Sequence, residues 1–376
     1  MPEGGIGFYV HHHGRGHANR ARQIIPHLTR HATVFGSDVE FLRDLESDRV
    51  RIVSLPGDVV PEADRMADWP DTLHYAPLNH EGIRKRMATM AGWALHERPA
   101  LLTVDVSAEV TLFARLLGLP TVVMRQNGLR DDPPHAAAFQ SASGLLAPYP
   151  DSLEDRDTPD WIRDKTYYAG GFSRYAGRNT DRRTARQQLG LGSESRVVVV
   201  LNGMGGEGNP LQKVKEAADA CPGWQWLVVG PAAEQIPDMP GHVTMTGKIP
   251  DTYPYLRAAD VVIGSAGNNT VMEIATAGTP YICIPEERPF GEQKGKADAL
   301  KRMGAATVLN GWPGTSVPGT SVPGTDVPDT GVWPRLIEDA SCSDTGPLQT
   351  IISPDAAIRC ARYLEATATR LSQPPA

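Results

Sequence analysis

The chain has 376 residues, with 37 Lys and Arg against 44 Asp and Glu for a net charge of −7, and it is 40% hydrophobic and 22% charged. That balance excludes a broadly basic nucleic-acid-binding face and supplies enough apolar material for two or three domains of about 150 residues. No apolar run reaches the roughly 20 residues of a membrane span, residues 1–7 lack the basic patch and apolar core of a signal peptide, and the four scattered cysteines form no CxxC pair, so the expectation is a cytoplasmic protein with no integral membrane association, no zinc cluster and no disulfide framework.

Ile6 to Val10 reads as a buried strand, followed by a glycine-broken loop and an amphipathic stretch from about His17 to Arg30 that Pro26 kinks. Ala32 to Phe35, Arg51 to Leu55, Leu101 to Asp105 and Thr121 to Met124 are further short apolar runs, with helical patterns between several of them. A polar stretch from about Gly170 to Ser195 carries Arg174, Arg178, Arg182, Arg183 and Arg186 and reads as a connection plus a surface helix. The rhythm then restarts at Arg196 to Leu201 and repeats at Trp226 to Val229, Val243 to Thr244, Val261 to Ile263 and Tyr281 to Ile284. From Gly314 the chain repeats GTSVP-like units too poor in apolar residues for a core, a surface insertion within 313–334. Asp355 to Leu371 reads as a closing helix. Strands alternating with helices predict an α/β protein of two doubly wound, Rossmann-like domains facing across a cleft, bounded at 1–172 and 173–354, with 355–376 as helix and tail. Ligands of such sheets lie beyond the carboxyl ends of the strands.

Three strand-end loops carry chemistry. The first is His11-His12-His13-Gly14-Arg15-Gly16-His17-Ala18-Asn19-Arg20. Its glycines let the backbone approach a ligand, the following helix offers free N–H groups, and a histidine there can serve as a base near neutral pH, or simply cap the turn. The spacing is not GxGxxG, which disfavours a nicotinamide dehydrogenase. His13 and His17 lack the further ligands a metal would need. The second loop is Asn202-Gly203-Met204-Gly205-Gly206, built for backbone contact with phosphate or for a tight turn. The third runs Gly264-Ser265-Ala266-Gly267-Asn268-Asn269-Thr270, with Glu273 one turn on. A helix starting at Asn269 or Thr270 would make Thr270 and Glu273 a capping box; alternatively, the loop holds a diphosphate and Glu273 accepts both hydroxyls of a ribose. Glu292 and Gln293, opening a later helix, have the acceptors and donors that vicinal sugar hydroxyls need. Asp131-Asp132 could mimic a metal-binding pair, but Pro133 and Pro134 beside it favour a turn.

Gly14-Arg15-Gly16-His17, Arg125-Gln126-Asn127-Gly128, and Gly264 to Pro280 followed by Glu292-Gln293 stand in the order seen in one family. On these blocks the chain resembles the nucleotide-sugar glycosyltransferases of the GT-B fold, family 28, which include the N-acetylglucosaminyltransferase of the lipid-linked peptidoglycan precursor. The resemblance spans about residues 4–305. It implies an N-terminal acceptor domain and a C-terminal donor domain. Gly203, Gly205 and Gly206 would approach the diphosphate, Ile249 would meet the base, and Ser265, Gly267, Asn268, Asn269 and Thr270 would line the phosphates. Glu273 would hold the ribose, and Glu292 and Gln293 the sugar. Gly14, Arg15, Gly16, Arg125, Gln126 and Asn127 would face the acceptor, with His17 as base beside His13 and Asp105. The implied reaction is inverting hexosyl transfer from a UDP-sugar co-substrate, with no cofactor or metal, by a monomer or homodimer. The three histidines and Arg15 in the first loop, and Arg125 where the peptidoglycan enzyme has an acidic residue, depart from that enzyme and point to a small polar acceptor in natural-product metabolism. A sugar-nucleotide hydrolase or 2-epimerase, or a non-catalytic sugar-nucleotide-binding subunit, are the alternatives.

Overall fold

The computed structural model describes residues 4–11, 15–59, 70–203, 208–231, 236, 238–313 and 331–372. The chain divides into two compact units, one of Met1–Asp151, Arg156–Gly170 and Asp355–Ala376, the other of Ser152–Asp155 and Gly171–Pro354.

The first unit runs β1 (Ile6–Tyr9), α1 (Arg15–Ile24), β2 (Ala32–Gly36), β3 (Val50–Ser54), α2 (Glu81–Glu97), β4 (Leu101–Asp105), α3 (Ala108–Leu116), β5 (Thr121–Met124), α4 (Pro133–Ser141), β6 (Gly144–Ala147), α5 (Asp160–Lys165) and β7 (Thr166–Tyr168). Pro26 ends α1: a turn of 3-10 helix, Ile25–His27, follows because the ring cannot donate to the preceding turn. The strands form one parallel sheet of order β3-β2-β1-β4-β5-β6-β7. Ile6 pairs with Ala32 on one side and Leu101 on the other, so the strand order reverses between β1 and β4. Trp93 of α2 covers β1 and stacks edge-on against Phe35 at 5.0 Å. Gly7 makes room for it; a Cβ there would meet the Trp93 ring at 2.5 Å.

The second unit repeats the plan with α6 (Arg182–Gln188), β8 (Val197–Leu201), α7 (Leu211–Asp219), β9 (Gln225–Val229), β10 (Val243–Gly247), α8 (Tyr253–Ala258), β11 (Val261–Gly264), α9 (Asn268–Ala277), β12 (Tyr281–Cys283), α10 (Glu292–Arg302), β13 (Thr307–Val308), α11 (Val332–Ser341) and α12 (Gly346–Gln349). Its sheet order is β10-β9-β8-β11-β12-β13, with the reversal between β8 and β11. β8 and β11 are fully buried, which explains why parallel strands covered on both faces read as unbroken apolar runs. Trp226, Trp312 and Trp333 pack in this core.

The last helix, α13 (Ala356–Ser372), belongs to the first unit. Glu365 accepts from Thr29 Oγ1 at 2.7 Å and from Arg30 N at 3.1 Å, and the Arg30 guanidinium donates to Thr369 Oγ1 at 2.9 Å. Among the described residues no helix is long and apolar enough to cross a membrane.

Candidate functional site

Each sheet has one reversal of strand order, and the chemistry-bearing side chains collect there. In the first unit, Asp105 is the last residue of β4. Val106 follows at φ 59°, and the Ser107 N–H donates to the Asp105 carbonyl at 3.0 Å, a tight three-residue turn. A β-branched residue in the left-handed region costs about 1–3 kcal/mol, and here the strain aims Asp105 at α1. His17 Nδ1 lies 2.9 Å from Asp105 Oδ2. One turn along α1, Arg20 places a single guanidinium nitrogen 2.7 Å from Oδ1, 3.0 Å from Oδ2 and 2.8 Å from His17 Nδ1. All three side chains are buried. Burial opposes the Asp105 charge, but Arg20 and His17 outweigh it and hold the carboxyl far below the ordinary range.

The structure thus brings His17 and Asp105 together and adds Arg20, which the sequence analysis missed. Gly16 is half-buried in the first turn of α1. His13, Gly14 and the Arg15 side chain lie outside the described residues. The Arg125-Gln126-Asn127 block follows β5. Arg125 turns inward: it is 2% exposed, donates to Thr166 Oγ1 at 3.1 Å and lies over the Phe139 ring. Gln126 Oε1 accepts from Arg130 at 3.0 Å, and Asn127 is buried.

A second polar cluster of this unit contains His74, Asp132 and His135. Asp132 caps α4, accepting from the His135 N–H at 3.2 Å, which agrees with the turn expected at Asp131-Asp132. His74 Nε2 and His135 Nδ1 lie 2.7 and 2.6 Å from its two oxygens. Those are hydrogen-bond lengths, whereas two ligands about 2.0 Å from one tetrahedral ion stand roughly 3.3 Å apart. Arg130 donates to His135 Nε2 at 3.1 Å, so the ring proton is on Nδ1, where an ion would have to bind.

In the second unit, the loops after β8 and β11 flank the reversal. Asn202 closes the first: its Oδ1 accepts from the Asn209 backbone at 3.0 Å and side chain at 2.8 Å. Gly205 and Gly206 lie outside the described residues. Gly203 faces Thr270; a Cβ on it would lie 3.8 Å from Thr270 Oγ1. In the second loop, a Cβ on Gly267 would stand 3.5 Å from Ser265 Oγ, 3.6 Å from Thr270 Oγ1 and 4.0 Å from Gln293 Nε2. Ser265, Gly267, Thr270 and Gln293 therefore surround one small space, with Gly203 alongside. The buried Tyr281 hydroxyl donates to the Ser265 carbonyl at 2.7 Å and fixes this loop.

α9 starts at Asn268 with Gly267 as its N-cap, and no side chain caps it. The predicted capping box does not form. Thr270 is already inside the helix, and Glu273 is carried a full turn away from the cap. Its carboxylate is buried and meets the Arg174 Nε–H at 2.9 Å and the Thr252 hydroxyl at 3.1 Å. Burial raises its carboxyl above the ordinary range against the pull of Arg174. Arg174 lies on the Tyr175 ring at 4.7 Å and donates to the Pro250 carbonyl at 3.1 Å, tying the half-buried Ile249 loop to Glu273. The Tyr175 hydroxyl accepts from the Thr252 backbone N–H at 2.9 Å and meets the Thr252 hydroxyl at 2.8 Å. Arg174, placed in a connecting stretch by the sequence analysis, is thus a site residue 99 positions from its partner.

Glu292 and Gln293 open α10. Gln293 is buried; its Oε1 accepts from the Glu286 N–H at 2.9 Å and its Nε2 lies 3.3 Å from Glu286 Oε2. Asn268 meets the buried Lys296 ammonium at 3.4 Å, and Asn269 is half-buried.

Residues 241–311 match the glycosyltransferase family 28 C-terminal domain. An uncharacterized glycosyltransferase of Methanosarcina acetivorans is 28% identical over 174 residues, 44% of this chain and 43% of that one. The UDP-N-acetylglucosamine--N-acetylmuramyl-(pentapeptide) pyrophosphoryl-undecaprenol N-acetylglucosamine transferase of Symbiobacterium thermophilum is 29% identical over 216 residues, 54% of this chain and 56% of that one. The chain therefore spans about half the length of these curated relatives. Arabidopsis thaliana UGT89C1, solved in complex with UDP, superposes with a TM-score of 0.69 at 12% identity, covering 98% of this chain and 100% of that one. The two-Rossmann-domain GT-B fold is shared with it.

Proposed function

We propose that this family 28-like chain of the GT-B fold is a glycosyltransferase that binds a UDP-sugar on its C-terminal unit and moves the sugar to a small polar acceptor in specialised metabolism, by inversion, without a metal and with His17 as base. The observation that carries the donor half is Glu273. Freed from any capping role, it stands buried beside an uncapped helix start and a cluster of loop glycines. A carboxylate offers about four lone-pair directions. Arg174 donates to both oxygens, at 2.9 and 3.5 Å, and Thr252 to Oε2 at 3.1 Å, so a lone-pair direction on Oε1 remains for a ribose hydroxyl. The N–H groups opening α9 and the positive end of its dipole suit the diphosphate, and Gly203 and Gly267 keep the backbone open to it.

In the transfer, His17 takes the acceptor proton on Nε2 while the acceptor oxygen attacks the anomeric carbon opposite the leaving diphosphate. The bond from Nδ1–H to Asp105, at 2.9 Å, orients the ring for that transfer. Negative charge growing on the diphosphate is met by the oriented N–H groups of α9, already in place before reaction. Loss of the base costs about two to four decades in rate.

The test is thermal stabilisation by UDP, dUDP, GDP and dTDP, with and without EDTA, followed by transfer from the best-stabilising UDP-sugar. A ligand at 100 times its dissociation constant adds about 2.7 kcal/mol. UDP should stabilise, dUDP and dTDP much less, and EDTA should change nothing. Equal stabilisation by UDP and dUDP would remove the ribose role of Glu273.

A further inference from the structure

We propose that Arg20 is a positioning residue of the transfer: it clamps the Asp105 carboxylate at the end of β4 and keeps the His17 ring neutral, with its proton on Nδ1 toward Asp105 and its Nε2 lone pair open to the acceptor hydroxyl. This rests on the reading of His17 as base.

A single ring atom, Nδ1, has two neighbours, Asp105 Oδ2 at 2.9 Å and an Arg20 nitrogen at 2.8 Å. Arginine only donates and an ionised carboxylate only accepts, so Nδ1 can satisfy one of them at a time. A bare Nδ1 would face the carboxylate lone pair to lone pair and put the proton on Nε2, where the ring could not act as base. A protonated Nδ1 makes a charge-assisted bond to Asp105, and Arg20 keeps its own bonds to the carboxylate at 2.7 and 3.0 Å. Net charge then decides the rest. Arg20 and Asp105 already cancel, so a second proton on His17 would leave one uncompensated positive charge among side chains 3–6% exposed. Without Arg20, the same proton would complete an Asp105–imidazolium pair and be retained.

Two described groups beside this cluster carry no negative charge. The His11 ring, from the loop after β1, has its centroid 5.5 Å from that of His17. Cys360 of α13 lies near Arg20, and burial pushes its thiol up to about 12, so it stays uncharged at neutral pH. Two local costs also mark the arrangement as more than packing. Val106 holds φ 59° beside Asp105, and Arg20 Nε is buried with no hydrogen-bond partner among the described residues.

The experiment is a ring titration by NMR with isotope-labelled histidine, in substrate-free wild type, Arg20→Met and Arg20→Lys, with His17→Asn to assign the signal. The wild-type ring should show the Nδ1–H tautomer. Arg20→Met should move the His17 titration up by a unit or more, and the acid limb of the pH–rate profile with it, so that activity on that limb falls about tenfold per unit. Arg20→Lys, which keeps the charge, should stay near wild type. If Arg20→Met does not fold, Arg20→Met/Asp105→Asn removes both charges, and its ring should titrate near the ordinary histidine value with no tautomer preference imposed by Asp105. An Nε2–H tautomer in wild type, or an unmoved titration in Arg20→Met, overturns the proposal. Full transfer activity in His17→Asn instead overturns the base reading beneath it, and the substrate-free titration separates the two failures.

Discussion

Acidification should loosen the first unit through one buried ring. His135 is 3% exposed, and burial first, then the charge of Arg130, push its imidazole down to about 4 against the bond it gives Asp132. The unfolded chain titrates near 6.5. Between those values the unfolded state holds more protons than the folded one, so the contribution to stability is complete above about pH 6.5 and is lost as pH falls toward 4. The interval is about 2.5 units, and at roughly 1.36 kcal/mol per unit the full loss is about 3 kcal/mol, of which about 2 kcal/mol is gone by pH 5. Hydrogen exchange of α4 and β5 reads this unit without averaging over the other. His135→Asn keeps a donor toward Asp132 and removes the titrating ring. Wild type should lose about 2 kcal/mol more protection than His135→Asn between pH 7 and pH 5, after correction for intrinsic exchange. Equal slopes in the two proteins would refute the assignment of a neutral, proton-resisting His135.

Three further outcomes follow from the donor loops. If Glu273 holds the ribose, wild type should prefer UDP to dUDP by about 10–150-fold, one hydrogen bond to a charged acceptor at about 1.5–3 kcal/mol, and Glu273→Ala should abolish the preference; calorimetry with both nucleotides reads it. Gly267→Ala has ordinary backbone angles, φ −60° and ψ 146°, and its Cβ meets only normal contacts, so the melting temperature should change little while UDP binding falls at least tenfold. Gly230→Ala is the opposite case: φ is 107° and a Cβ would strike the Asn202 carbonyl, so the second unit should be destabilised by more than about 1 kcal/mol, seen as an earlier urea midpoint.

Much of the fold was legible because buried parallel strands announce themselves. Val197–Leu201 is four valines and a leucine, and no polar residue interrupts it. The strands that escaped, β6, β7 and β13, are short or polar: Gly144–Ala147, Thr166–Tyr168 and Thr307–Val308 carry two to four residues each, too few for a pattern. The start of α9 was misplaced by one or two residues, and that small slip mattered because it created an apparent capping box. Local sequence favoured Thr270 as a cap. The bond from the Tyr281 hydroxyl to Ser265 and the close packing of Gly264 on Thr270 hold the loop so that Gly267 takes that position. Arg174 and Arg20 were invisible for a different reason. Their partners, Glu273 and Asp105, are 99 and 85 residues away, and no spacing rule links such distances. Histidine in a glycine loop, by contrast, is a local signal, and it is what singles out His17 as a candidate.

Because α13 completes the first unit, that unit cannot finish folding in the order it is synthesised. Its segments up to Gly170 leave the ribosome and must wait for the 184 residues from Gly171 to Pro354, about 10–40 s at ordinary elongation rates, before Glu365 reaches Thr29 and Arg30. The second unit, nearly continuous in the chain, is complete first. During that interval the face of α1 and the 3-10 turn that receives α13 is uncovered, a natural address for a chaperone. A C-terminal truncation before Asp355 would make that transient state permanent, and a circular permutant joining the two termini would shorten it.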